Sequence, residues 1–308
     1  MKTRSFFLCT LASCFFGYAV TPISAQAASP TIDLITSFNI PEPYVDTDAF
    51  SINDAKTIVG SSDFGDGNVQ GFVRYRNGDY SVIINPNEAK RYTVASVINN
   101  SGLIAGYYFP GHHIRGFFLS NDTYTDFRVP GACTTYITAL NDADDFAGLA
   151  YFHQSDNGCN DLKSFVSIGG NITIFTVIGA GVDFTQAEGM NNLGQVVGFY
   201  GDRNGVHGFL RDADGTLTFP IDYPGAVATA LIGINDKGWM TGYYDDTKGI
   251  FHALFLQSPT EFVVFDVIPS RATYFGGINN RDFICGTYSS GPLLAHGFIA
   301  RVRRSSGD

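Results

Sequence analysis

Asp48 and Glu188 are the acids of this chain best placed for paired chemistry. Asp48 lies five residues before Asn53, and Glu188 three before Asn191. In an extended strand those offsets share one face. Corresponding positions elsewhere are mostly apolar or small, apart from Gln186 beside Glu188. Two carboxylates facing each other across an opening could bind Ca²⁺, with Asp46 and Asp183 as further ligands, or act as general acid and base. His112 and His113 also break the local pattern in a loop, where they could ligate a metal or move protons. The plainer alternatives are polar residues lining a water-filled channel and an exposed histidine pair.

These positions are defined by a repeat. A Thr, an Asn six residues later and a Gly seven beyond that recur six times. They are Thr47, Thr93, Thr135, Thr185, Thr229 and Thr273; Asn53, Asn99, Asn141, Asn191, Asn235 and Asn279; Gly60, Gly106, Gly148, Gly198, Gly242 and Gly286. The Asn spacings are 46, 42, 50, 44 and 44, a period of about 45 residues. That period in strand-rich sequence predicts an all-β fold, a six-bladed β-propeller with four strands per repeat.

Within a repeat, Asx-Gly turns such as Asn99-Asn100-Ser101-Gly102 join the first two strands. The third strand opens with a small residue and then a large apolar one, as in Gly116-Phe117 and Gly208-Phe209. The sixth repeat stops after its third strand. Leu34 to Pro41 carries the missing fourth-strand pattern. Residues 32–40 are therefore expected to complete the last blade and close the ring, which removes exposed sheet edges. Residues 28–308 read as one domain, expected to be a monomer.

Residues 1–27 read as a signal peptide. Lys2 and Arg4 precede an apolar run from Ser5 to Val20, and Ala25-Gln26-Ala27 is a small-x-small cleavage site. The alternative is lipid anchoring at Cys14, within Leu11-Ala12-Ser13-Cys14. The apolar run is short for a transmembrane segment. Cleavage removes two basic residues and no acids, taking the formal net charge from −10 to −12. Such a surface repels phosphate, so nucleic acid is excluded as the expected partner.

Cys133 and Cys159 both lie in loops of the third repeat on one face and are expected to form a disulfide. Cys285 sits where other repeats carry Val, Ala or Thr and reads as a small core residue. His207, His252 and His296 occupy one repeat position and read as structural. Tyr108, Tyr200, Tyr244 and Tyr288 recur two residues after the Gly. Exposed there, they would stack on sugars; packing between blades is the alternative.

Gly233-Ile234-Asn235-Asp236, Gly198-Phe199-Tyr200, His207-Gly208-Phe209-Leu210 and Pro224-Gly225-Ala226 resemble the signature of HAF-type extracellular repeats of secreted, mostly bacterial proteins. The resemblance spans nearly the whole chain after residue 27 and implies extracellular location without any set activity. The first and third repeats depart from it, with Gln70 and Lys163 in place of the His. No nucleophile elbow, zinc-protease helix or P-loop is present. The leading expectation is a secreted protein that binds a carbohydrate or cell-surface ligand. The alternative is a hydrolase, lyase or lactonase with its site at the tunnel mouth.

Overall fold

A computed structural model describes residues 29–41, 43–64, 67–154, 158–179, 181–291 and 294–303. The expected signal peptide, with Cys14, lies outside the described residues. Among those described there are 24 strands. After β1 (Thr31–Phe38), the first sheet holds β2 (Asp46–Ile52), β3 (Ile58–Asp63), β4 (Val69–Arg74) and β5 (Tyr80–Ile83). The second holds β6 (Thr93–Ile98), β7 (Ile104–Tyr108), β8 (Arg115–Ser120) and β9 (Thr123–Phe127). The third holds β10 (Ala132–Leu140), β11 (Phe146–Gln154), β12 (Gly158–Ile168) and β13 (Asn171–Phe175). The fourth holds β14 (Val182–Met190), β15 (Val196–Asp202), β16 (Gly205–Arg211) and β17 (Leu217–Ile221). The fifth holds β18 (Ala228–Ile234), β19 (Met240–Asp245), β20 (Phe251–Ser258) and β21 (Glu261–Phe265), and touches the fourth through the bridge Val206–Ala228. The last holds β22 (Thr273–Ile278), β23 (Phe283–Gly291) and β24 (Leu294–Arg303), with β1 antiparallel alongside β24 from Thr31–Arg303 to Phe38–Gly297.

The three recurring residues each perform a separate task. The Thr hydroxyl accepts a backbone N–H from the connection entering its strand: Ile40 to Thr47 at 3.0 Å, Asn85 to Thr93 at 3.0 Å, Val129 to Thr135 at 3.1 Å. Val177, Tyr223 and Val267 repeat the bond to Thr185, Thr229 and Thr273. The Asn side-chain oxygen accepts N–H groups of its own turn, as Asn99 does from Ser101 and Leu103. Its amide nitrogen donates to the carbonyl of the next repeat's Asn. The chain of donations runs Asn53 to Asn99, Asn141, Asn191, Asn235 and Asn279, and Asn279 returns to Asn53 at 2.8 Å.

A second ring lies one residue on, where acid and amide alternate: Asp54, Asn100, Asp142, Asn192, Asp236, Asn280. Each backbone N–H in this ring donates to the next member's side chain at 2.7–3.0 Å. Asn192 Nδ2 bridges Asp142 and Asp236 at 3.0 and 2.9 Å. Alternation gives every carboxylate amide neighbours and no adjacent like charge.

The Gly answers a close approach. A Cβ added at Gly60, Gly198 or Gly242 would lie 1.9 Å from the carbonyl oxygen of Asp48, Gln186 or Ala230. The same holds at 2.0 Å for Gly106 and Gly148, against Val94 and Tyr136. Those carbonyls are pushed inward because each first strand carries a register shift at one place, Ala49/Ser51, Ala95/Val97, Ile137/Ala139, Ala187/Gly189, Leu231/Gly233 and Phe275/Ile278. A bulge at that point bends the strand and re-aims its extra residue.

The core follows the small–large pair of the third strand. Phe72, Phe117, Phe165, Phe209, Leu254 and Phe298 are at most 1% exposed. The small partner admits the neighbouring sheet: a Cβ on Gly116 would sit 2.8 Å from Ile137, and one on Gly208 3.0 Å from Leu231. Burying an aromatic ring of this size stabilises by roughly 2–3 kcal/mol, so the six recurring positions anchor the sheets to one another.

The candidate ligand site at the tunnel mouth

Strands β2, β6, β10, β14, β18 and β22 border a cavity of about 210 Å³. The bulges decide what lines it. Ser96, Thr138, Glu188 and Ile232 are bulge residues and all border the cavity, as do Phe50 and Gly277. The Asn and Asp/Asn rings bound a smaller space of about 60 Å³ at the end formed by the first turns. The longer loops lie at the other end.

Glu188 borders the cavity, so part of its surface is open, yet protein surrounds it. Burial alone pushes its carboxyl up to about 8. Asp48 rises to about 6, from burial first and then from Asp46 and Asp63, opposed by a hydrogen bond with Thr287. Neither acid is moved by the other's charge. Glu188 lines the cavity, and Asp48 lies outside its lining. Of the two further ligands expected, Asp46 instead accepts the Ala295 N–H at 2.7 Å, and Asp183 is exposed. No group of three or more His, Cys, Asp and Glu side chains placed to hold a metal occurs among the described residues. His112 and His113 are exposed in the β7–β8 loop.

Tyr107 also borders the cavity, and other rings pack on it or on one another. Tyr107 packs on Tyr136 with ring centres 4.8 Å apart, and Tyr92 and Tyr151 extend the row at 6.4 and 6.3 Å. Tyr243, Tyr274 and Phe251 form a second group at 5.1–5.6 Å. Phe184 and Phe199 make a third contact at 6.2 Å. All are half-buried. Burial raises Tyr136 and Tyr243 to about 12 and moves Tyr92, Tyr107 and Tyr274 in the same direction.

The tyrosines singled out from the sequence sit elsewhere. Tyr108 is 1% exposed and donates to Asp126 at 2.8 Å; Tyr200 is 5% exposed against His207. Tyr244 is stacked between Tyr223 at 4.0 Å and His252 at 4.8 Å, and Tyr288 packs on His296 and Phe298. Strand alternation is the reason: residues one and two after the Gly point to opposite faces, and Tyr107, one after, borders the cavity while Tyr108 does not. Tyr107 and Tyr243 hold that nearer position. Tyr136 and Tyr274 lie five before the Asn, the same offset as Asp48, so the strand-face argument for the acids applied to them too.

The recurring histidines are structural, each tying strand to loop. His207 Nδ1 meets Asp222 at 2.9 Å, and its Nε2 meets Asp202 at 3.3 Å. His252 pairs likewise with Asp266 and Asp246, and His296 Nδ1 with Asn39 at 2.7 Å. Cys133 and Cys159 form a disulfide, with Cα atoms 6.3 Å apart. Cys285 is fully buried, and burial pushes its thiol up to about 12.

No protein-family model matches this chain, and no curated protein sequence does. Solved structures do. The chain is similar to the SapL1 lectin in complex with α-methyl fucoside (TM-score 0.54, 13% identity, covering 85% of this chain and 96% of that one). It is similar to the Aleuria aurantia lectin, described as a six-bladed β-propeller with a fucose recognition mode (0.50, 9%, 87% and 99%). A gluconolactonase from Xanthomonas campestris is comparable (0.50, 9%, 91% and 99%). At these identities the likeness concerns fold alone, and it is to β-propellers.

Proposed function

We propose that this protein is a secreted, monomeric six-bladed β-propeller of the HAF-repeat type, closed by β1, which binds a glycan at its tunnel mouth. The single observation that carries the reading is a cavity bordered by Tyr107, Phe50, Glu188, Ser96 and Thr138, with Tyr136 packed on Tyr107. Flat rings with polar groups beside them suit a sugar, which has an apolar face and a hydroxyl rim. The propeller lectins are consistent with this. Export rests on the leader-like residues 1–27 and is supported by the disulfide. No helix among the described residues is long and apolar enough to cross a membrane. A glycan panel probed with wild type and with Tyr107→Ala/Tyr136→Ala tests the proposal. Binding lost in the variant supports it; undiminished binding, or none to any glycan, removes it.

One observation favours an enzyme at the same mouth. Glu188 with a carboxyl near 8 and Asp48 near 6 is the split expected of a general acid and a general base at neutral pH. A lactone or glycoside hydrolysed by wild type but not by Glu188→Gln would establish that reading.

A further inference from the structure

The bulge residues divide the cavity wall into two arcs. Ser96, Thr138 and Glu188 are polar; Ile232, Gly277 and Phe50 are not. All six border the cavity and are half-buried. Their order follows the Asn circuit, which runs from Asn53 through Asn279 and back, so each arc spans three neighbouring sheets without interruption. On the polar arc, the Thr138 hydroxyl donates to the Ala187 carbonyl at 2.7 Å and keeps lone pairs to accept with. Burial alone acts on the Glu188 carboxyl, and no hydrogen bond or ion pair among the described residues engages it. Held up to about 8, it keeps its proton at neutral pH and can donate as well as accept. No Lys, Arg or His is among the described residues of the wall, so an acidic ligand would find no counter-charge there.

The turn end of this cavity is closed. The residue before each ring Asn, from Ile52 to Ile278, borders both the cavity and the smaller space beyond it. These six apolar side chains are only 4–7% exposed and form a floor. The space beyond, about 60 Å³, has the volume of about two waters, and the two hydrogen-bonded rings fix its rim. A chain of sugars cannot thread through. The cavity itself, about 210 Å³, has the volume of about seven waters, which admits one sugar ring and not two.

We infer that the cavity takes one uncharged sugar unit from the end of a glycan chain, its hydroxyl edge against Thr138 and Glu188 and its apolar face against Phe50 and Ile232. The inference rests on the glycan-binding reading and names the sugar class, and the part of the chain, for that same site. The unit enters from the loop end, and the rest of the chain stays outside. A two-sided wall matches a two-sided ring, since hydroxyls meet groups that both donate and accept while the C–H face meets apolar surface.

Calorimetric titration with glucose, galactose, mannose and xylose, and with linear two- to six-unit oligomers of each, tests it. At least one free monosaccharide should bind, and its oligomers should bind within about ten-fold of it, because later units lie outside the cavity. Glu188→Leu and Ile232→Gln should each weaken monosaccharide binding at least about ten-fold, the scale of one lost hydrogen bond or one mismatched contact, with thermal melts checking that both variants fold. Affinity that climbs more than about ten-fold from one unit to six overturns the inference and leaves glycan binding intact. So does binding of any oligomer or panel glycan when no monosaccharide binds. Glucosamine or glucuronic acid bound more tightly than every neutral sugar overturns the uncharged class, and unchanged affinity in either variant overturns the placement. Failure of every saccharide, here and on the glycan panel, removes both readings.

Discussion

Replacing Glu188 by Gln keeps the side-chain shape and removes its titration. The native carboxyl is held near 8, against 4.5 for the unperturbed group. A raised acid binds its proton more tightly in the folded state than in the unfolded one. Stability therefore falls as pH rises from about 4.5 to about 8, and the penalty is constant above that. A carboxyl raised from 4.5 to about 8 sets a ceiling of roughly 5 kcal/mol, at about 1.4 kcal/mol per tenfold change in proton affinity. Water in the bordering cavity screens the charge, so about 2 kcal/mol is the expected gain at pH 9. For a domain of this size that is an increase in Tm of about 4–8 °C. Thermal melts of both proteins at pH 4 and pH 9 read it directly: the Tm values should coincide at pH 4 and separate at pH 9, Gln higher. A difference of equal size at both pH values would refute the claim that Glu188 is a desolvated acid. So would a less stable Gln variant at pH 9.

Other perturbations test the scaffold. Asn192→Asp would place three carboxylates side by side with Asp142 and Asp236 and delete two side-chain hydrogen bonds, costing about 2–4 kcal/mol by denaturant unfolding, with the loss reduced at pH 4. Gly198→Ala would drive a Cβ to 1.9 Å from the Gln186 carbonyl and should cost more than about 3 kcal/mol or abolish soluble expression, whereas Gly131→Ala, with open space around it, should suffer only a modest backbone penalty. Cys133→Ser/Cys159→Ser opens a loop with a sequence separation of 26 and should lose about 3 kcal/mol on the entropic account; an unchanged denaturation midpoint would argue against the disulfide. Deleting residues 29–41 removes the partner of β24 and the Ile40–Thr47 hydrogen bond, so Tm should fall sharply; an unchanged melt would show that the last sheet does not depend on β1.

The Thr, Asn and Gly offsets were legible because each reflects a local need repeated in every sheet: an acceptor for the incoming connection, a capped turn and room for a bulge carbonyl. The small–large pairs forecast the buried rings for the same reason. The fourth-strand pattern in Leu34–Pro41 likewise pointed to β1 beside β24. Asp48 and Glu188 could be placed from strand alternation, since their offsets share a face. Tertiary structure alone decided how deep they lie, and that Glu188 and Tyr107, from different sheets, border one cavity. Convergence depends on the relative placement of strands some forty residues apart, which no local pattern encodes. It also decided which tyrosine of Tyr107-Tyr108 borders the cavity, because adjacent strand residues point oppositely and either could have been the inner one. The sequence by itself determined a repeating all-β scaffold; only the gathering of its first strands around a shared space brought Glu188 and Tyr107 together.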